Sequence, residues 1–227
     1  MKRISAGKIP GFPPHITSLL VSQEVFGHEE LTPVDTVLEN HRRIKELTRT
    51  ANAYLISQLE DEMDGLDVES DDYQENMERI CNRIAELEDD ADDDNAAVVG
   101  RARDALHFFG VPESTFDTPT LKLSGGMRKK ISLACAVMEK PQLLLLDEPT
   151  RGIDVGAKGE IFDLLRERAE QGLAVLFVTS EISEALNWSD RIVVMSRGHI
   201  SGIHKPSDVT REEIMAAAEV KKEGVRA

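Results

Sequence analysis

The sequence predicts an α/β fold, a mainly parallel sheet with an inserted α-helical hairpin. Three observations carry that expectation. From Gly125 onward, helical and strand-like segments alternate. The segments "LLLLD" (143–147) and "AVLFVTS" (174–180) are apolar with little interruption, the pattern of strands covered on both faces. Ahead of them, two long stretches repeat apolar residues every three or four positions, which marks amphipathic helices.

Taken in order, "HITSLLVSQ" (15–23) follows a Gly/Pro cluster and reads as a strand ending at Gln23. Thr32, Pro33 and Asp35 form a helix start: a capping hydroxyl, a proline in the first turn and an acid three residues past the cap. Ile44, Leu47, Ala51, Leu55 and Leu59 keep helical spacing up to Gly65, and Tyr73, Met77, Ile80, Ile84 and Leu87 form a second seam. Two seamed helices around a glycine-containing turn predict an antiparallel hairpin, and a third helix ends near Gly110. "GGMRKKISLACAVM" is helical, "AKGEIFDLLRERAEQG" is a helix closed by Gly172, and "EISEALN" is a short helix. "RIVVMSRGHISG" reads as two strands joined at Arg197-Gly198, and a last helix starts at Thr210 with Glu213 completing a capping box. In such sheets reactive groups gather at the carboxyl ends of strands, where Gln23, Asp147, Glu148 and Ser180 fall.

Composition narrows the function classes. The 227 residues carry a net charge of -15, yet residues 60–94 alone hold 17 acids against Arg79 and Arg83, while the remaining charges balance. Acidity therefore belongs to the hairpin, whose outer face is expected to be solvated. No apolar run approaches the roughly 18 residues of a membrane span. The basic start "MKRISAGKIPGF" has no apolar stretch behind it, so a cytoplasmic chain without direct membrane insertion is expected. Cys81 and Cys135 lack metal-type spacing and read as inert reduced thiols. In "DDADDDN" the alternating Asp90, Asp92 and Asp94 suggest calcium, but Asn95 stands where a turn glycine belongs and Arg101 replaces the bidentate glutamate, so no metal is assigned. The six histidines read as surface or structural residues. Trp188 is expected to pack against its short helix, and Arg101, Arg103, Arg128, Lys129 and Lys130 to lie on solvated helix faces.

Two segments carry chemistry. "LSGGM" (123–127) opens a helix: Ser124 offers a hydroxyl, and the bare backbones of Gly125 and Gly126 allow an anion to approach the positive helix end. The same residues also suit a plain cap. In "LLLLDEPT" (143–150), Asp147 is placed to hold magnesium and Glu148 to orient and deprotonate a water. Together, at this spacing and behind a glutamine-ended strand, they are far more specific than either alone.

On these residues the chain resembles the ATP-binding cassette (ABC) family, with "LSGGM" as signature motif, "LLLLDEPT" as Walker B, Gln23 as the Q-loop residue and "GID" (152–154) as the D-loop. The resemblance implies the P-loop NTPase fold and ATP hydrolysis with Mg2+. Glu148 would be catalytic. Gln23, Ser124, Gly125, Gly126, Asp154 and Ser180 would contact ATP, and Asp147 with Gln23 would hold the metal. It also implies a second cassette as partner, since two cassettes meet head to tail with each ATP between the P-loop of one and the signature of the other. Residues 1–30 would form the Q-loop strand and flanks, 31–110 a helical subdomain with the acidic arm, and 111–227 the signature, Walker B, D-loop and switch-position part.

The chain departs from that pattern at two places. A P-loop needs Gly-x4-Gly-Lys-Ser/Thr ahead of the Q-loop strand, but the only Gly-Lys there is Gly7-Lys8, with Lys2 in place of the first glycine and Ile9 in place of the hydroxyl. The sheet is thus expected to lack the family's N-terminal strands and P-loop, to bind ATP weakly alone, and to aggregate or depend on a partner through exposed edges. At the switch position, usually a histidine, stands Ser180.

Two branches of the family are represented. Residues 1–150 resemble the soluble F-type, translation-associated proteins, which would make the ribosome a partner. From "RGIDVGAKGEIF" onward the chain is similar to the second cassette of monosaccharide importers, which would make a membrane permease the partner. The change of side at Thr150 points to a recombined, engineered or generated sequence. A third possibility is a non-catalytic cassette that acts only as a binding module.

Overall fold

A computed structural model describes residues 10–13, 16–22, 27–70, 72–88 and 95–219. Gln23, His15 and the Asp90, Asp92 and Asp94 tract lie outside the described residues. Strands β1 (Ser18–Val21), β2 (Leu143–Asp147) and β3 (Ala174–Val178) form a parallel sheet in the order β1-β2-β3. Between β1 and β2 the chain builds helices α1 (Pro33–Asp64), α2 (Tyr73–Glu88), α3 (Asn95–Phe108) and α4 (Gly125–Met138). After β2 come α5 (Val155–Glu170), β3, α6 (Ile182–Trp188), the antiparallel pair β4 (Ile192–Ser196) and β5 (His199–His204), and α7 (Arg211–Glu219).

Local chemistry explains where these elements start and turn. At α1 the Thr32 hydroxyl accepts the Asp35 N–H at 3.2 Å while Asp35 Oδ2 accepts the Thr32 N–H, and Pro33 occupies the first turn. We predict that Thr32→Ala lowers unfolding free energy by about 1 kcal/mol in urea titration. Thr210 and Glu213 form the same reciprocal bonds at α7. The β4-β5 turn places Arg197 and Gly198 at φ 51° and 81°, the left-handed pair that a two-residue hairpin needs.

The core lies where α3, α4 and α5 meet the sheet. Leu144, Leu145 and Leu146 of β2 are fully buried, as are Leu106, Phe109, Leu133 and Ile161 around them. Strand β2 is flanked on both edges and covered on both faces, as its unbroken leucines predict. Strand β3 differs. Val175 and Phe177 pack against the core, Phe177 at 5.3 Å from the Phe162 ring, while Leu176 and Val178 on the other face are 41% and 46% exposed. The expectation of a sheet covered on both faces therefore fails at β3. Val193, Met195, Ile200 and Ile203 of the β4-β5 pair are exposed as well.

The acidic hairpin forms, with a corrected seam on α1. Leu47 and Leu55 are 61% and 42% exposed, and the partly buried residues include Ile44, Asn52, Ile56, Leu59 and Met63. Asn52 Nδ2 donates to the Leu87 carbonyl at 2.9 Å and Arg79 pairs with Glu62 at 2.6 Å, both tying α2 to α1. On α2 the expected seam is the observed one, with Ile80 fully buried. At the other end of α1, His41 Nδ1 lies 2.8 Å from Glu139 Oε1, a structural role.

Candidate functional site

Sequence and sheet register bring the candidate residues into two groups. The first sits at the carboxyl end of β2 and β3. Asp147 pairs in register with Val178, and the Glu148 N–H donates to the Val178 carbonyl at 2.9 Å, so the two acids of β2 lie beside the Thr179-Ser180 end of β3. Asp147 and Glu148 are half-buried, and Ser180 is exposed. Glu148 holds φ 45°, a left-handed backbone that a side chain pays about 1 kcal/mol or more to adopt. Strain of this kind concentrates at functional positions, because the surrounding bonds must over-determine it. Here those bonds are its own N–H to Val178 and its carbonyl, which accepts the Arg151 N–H at 3.2 Å.

The second group sits at the start of α4. Ser124 is the N-cap, its Oγ accepting the Met127 N–H at 3.2 Å, so the plain-cap reading holds and the hydroxyl proton stays available to an acceptor. The N–H groups of Gly125 and Gly126 have no intrahelical partner and lie at the positive helix end. A Cβ built on Gly126 would meet Ile153 Cγ2 at 3.5 Å, Ala157 Cβ at 3.7 Å and Asp154 Oδ1 at 4.0 Å. The 124–126 turn thus packs on the 152–154 turn of the same chain. Asp154 in turn caps α5, its Oδ2 accepting the Ala157 N–H at 3.1 Å.

Three further residues of this region escaped sequence reading. Lys129 is 3% exposed rather than solvated, and its Nζ donates to the Ser22 carbonyl at 2.9 Å. Burial pulls its pKa down from 10.5 to about 8, against the opposing pull of the Asp147 charge. The signal was present: Lys129, Leu133 and Ala136 fall at i, i+4 and i+7 on the buried face of α4. Glu184 and Thr150 are buried at 6% and 1% exposure, and the Thr150 hydroxyl donates to the Glu184 carboxylate. Arg128 donates to the Leu121 and Leu123 carbonyls and Lys130 pairs with Glu160 at 2.7 Å, so these cations are structural rather than merely solvated. Trp188 stacks on Phe162 of α5 at 5.4 Å beneath Arg166, against a neighbouring helix rather than its own. Burial also pushes the Cys135 thiol up to about 12, in keeping with an inert thiol, whereas Cys81 is exposed.

Lys129 gives a pH prediction. The unfolded chain keeps this proton up to about pH 10.5 and the folded chain releases it near 8, so between those values the unfolded state binds more protons and stability rises with pH. Relative to Lys129→Met, the native chain is expected to gain on the order of 2–3 kcal/mol from pH 8 to 10.5 in urea unfolding. Parallel pH profiles for the two chains would contradict it.

The model of the family described as "ABC transporter" matches residues 19–151, more than half of the chain. The chain belongs to the ABC transporter family. A curated ABC relative, the ribose import ATP-binding protein RbsA 2 of Rubrobacter xylanophilus, is 50% identical over 121 residues, 53% of this chain and 23% of that protein. The chain therefore spans about a quarter of the length of that relative. Among solved ABC structures, the dimeric post-hydrolysis state of the ATP-binding cassette MJ0796 bound to ADP and Pi superposes with a TM-score of 0.54 at 19% identity, covering 84% of this chain and 63% of that one. The ADP conformation of the cassette MJ1267 gives 0.53 at 20% identity, covering 88% and 64%. Both show the fold: this ABC chain is an α/β cassette of the P-loop NTPase type. No helix of the described residues is long and apolar enough to cross a membrane.

Proposed function

We propose that this chain is the signature-bearing member of a head-to-tail pair of ABC cassettes, hydrolysing ATP on a phosphate loop that its partner carries. The observation that supports this most is the 124–126 turn, exposed at Ser124 and Gly125, with two N–H groups that have no intrahelical partner at a helix end and Asp154 packed behind it. Ser124 donates its hydroxyl to a phosphate oxygen, and the Gly125 and Gly126 N–H groups offset charge that develops there as the bond to the leaving phosphate breaks.

In the chain's own half-site, Glu148 orients the attacking water and takes its proton, Asp147 holds magnesium with Gln23, and Ser180 takes the switch position. Among the described residues no group of three or more His, Cys, Asp or Glu is arranged for a metal ion. A lone strand-end carboxylate nevertheless suits magnesium, which keeps waters and draws its other ligands from phosphate oxygens. When bound, the ion neutralises phosphate charge. These 227 residues contain no Gly-x4-Gly-Lys-Ser/Thr, so this half-site works only where a phosphate loop from outside them completes it.

The test mixes the purified chain with an intact P-loop-bearing ABC cassette whose own signature is disabled, so that only mixed pairs hydrolyse ATP. Saturable hydrolysis on adding the chain is expected; no hydrolysis at excess chain overturns the reading.

A second reading makes the chain part of the energy-coupling subunit of a sugar importer, favoured by the 50% identity to a ribose import ATP-binding protein. Retention of a sugar permease on the immobilised chain is the expected result. The 17 acids of residues 60–94 repel phosphate backbones, which favours this partner over a ribosome.

A further inference from the structure

Three segments that carry candidate site residues converge on one buried carboxylate. Glu184, 6% exposed on α6, accepts the hydroxyl of Thr150, the hydroxyl of Thr179 at 2.6 Å and the ammonium of Lys158 at 3.3 Å. Thr150 follows Glu148 by two residues on the turn after β2. Thr179 directly precedes Ser180 after β3. Lys158 stands in the first turn of α5, whose N-cap is Asp154. Lys158 also pairs with Glu181, and its pKa is raised by the hydrogen bonds to Glu181 and Glu184. The Glu181 N–H donates to the Thr179 hydroxyl at 3.0 Å, which closes the ring of bonds.

A buried carboxylate is costly to desolvate unless donors surround it, and removing one donor leaves charge uncompensated for the others. Glu184 has three donors from three separate segments, so none of them can shift without straining the other two. We infer that Glu184 is a positioning residue that locks the Glu148 turn, the Ser180 switch position and the Asp154-capped helix into one unit, so that a contact at Asp154 is felt at Glu148 and Ser180. This rests on the proposed function for its use in ATP chemistry, but the coupling itself is a property of the fold.

The experiment is amide hydrogen exchange by NMR on the full chain, with Thr150→Val as the main variant because it keeps shape and removes one donor. Exchange of the Glu181 amide, on the other strand end, is expected to quicken at least tenfold beyond what the change in urea stability accounts for. Lys158→Met is expected to do the same at Ile153 and Glu181. Glu184→Gln, which keeps an acceptor, is expected to lie between the native chain and Glu184→Ala. In the mixed-pair assay, where the half-site served by Glu148 lacks a phosphate loop, Glu184→Gln is expected to lower kcat severalfold with KM within twofold through the Lys158 bond to the Asp154-capped helix, which packs behind Gly126.

Exchange that quickens only next to each substituted residue, or only in step with global stability, overturns the coupling. If the amides respond as expected but the mixed pair never hydrolyses ATP, the proposed function fails and the coupling stands. Hydrolysis in the mixed pair with kcat unmoved by Glu184→Gln overturns its role in that site.

Discussion

Gly126→Asp is expected to reduce ATP hydrolysis by the mixed pair at least about a hundredfold, a loss of the size seen when one preorganised donor to developing negative charge is put out of use. The substitution places a carboxylate at the helix end where the phosphate would be held. Its Cβ would also sit 4.0 Å from Asp154 Oδ1, so two negative charges would crowd the same corner. Gly126→Ala is the control. Its methyl would meet Ile153 Cγ2 and Ala157 Cβ at 3.5 and 3.7 Å, ordinary contacts, and a much smaller loss is expected. The checking measurement is steady-state phosphate release at saturating chain. Glu148→Gln in the same mixture is expected to change the rate less than twofold, since the half-site it serves lacks a phosphate loop. An equal loss for Glu148→Gln would mean that this chain's own half-site is the active one.

Leu146→Ala is expected to lower unfolding free energy by about 3–4 kcal/mol, a large share of the roughly 5–15 kcal/mol that domains possess. Leu146 is fully buried in the central strand, paired with Val21 on one side and Phe177 on the other. The neighbouring strands fix its backbone, so the cavity cannot close by local collapse. Chemical denaturation monitored by Trp188 fluorescence measures it, and a loss under about 1 kcal/mol would show that the site relaxes. Because Asp147 follows Leu146 directly, the same change is expected to loosen the carboxyl end of β2.

Much of the fold was legible because local chemistry and tertiary position agree. The Thr32 and Thr210 caps, the four leucines of β2 and the Arg197-Gly198 turn each carry their structure within a few residues. The α1 seam was misplaced because that helix is 32 residues long and changes partner along its length, packing on α3 and α4 near its start and on α2 further on. A single apolar stripe cannot report two partners. The open face of β3 was illegible for a related reason: Leu176 reads as core by composition, and only the arrangement of other elements decides what covers it.

The candidate site divides in the same way. Asp147, Glu148, Ser124 and the two glycines were read from contiguous motifs, and the sheet places the first pair beside Ser180. That Gly126 packs against Asp154 depends on how α4 meets the turn before α5, which no local pattern records. Lys129 was legible in principle from the periodicity of α4 but was masked by its charge, since lysines are seldom buried. Glu184 was not legible at all. Its donors come from residues 150, 158 and 179, and in sequence it is simply one more acid on a short helix.

The most direct measurement is a calorimetric titration of Mg-ATP into the purified chain, alone and then with the signature-disabled cassette present. Alone, the chain is predicted to give no detectable heat below about 1 mM nucleotide, because a helix end and one carboxylate replace few of the phosphate contacts that a loop provides. With the cassette present, the heat is predicted to exceed that of the cassette titrated alone, and this excess to vanish with Gly126→Asp. Binding by the chain alone in the micromolar range would contradict this, and would mean that its own residues build a complete phosphate site.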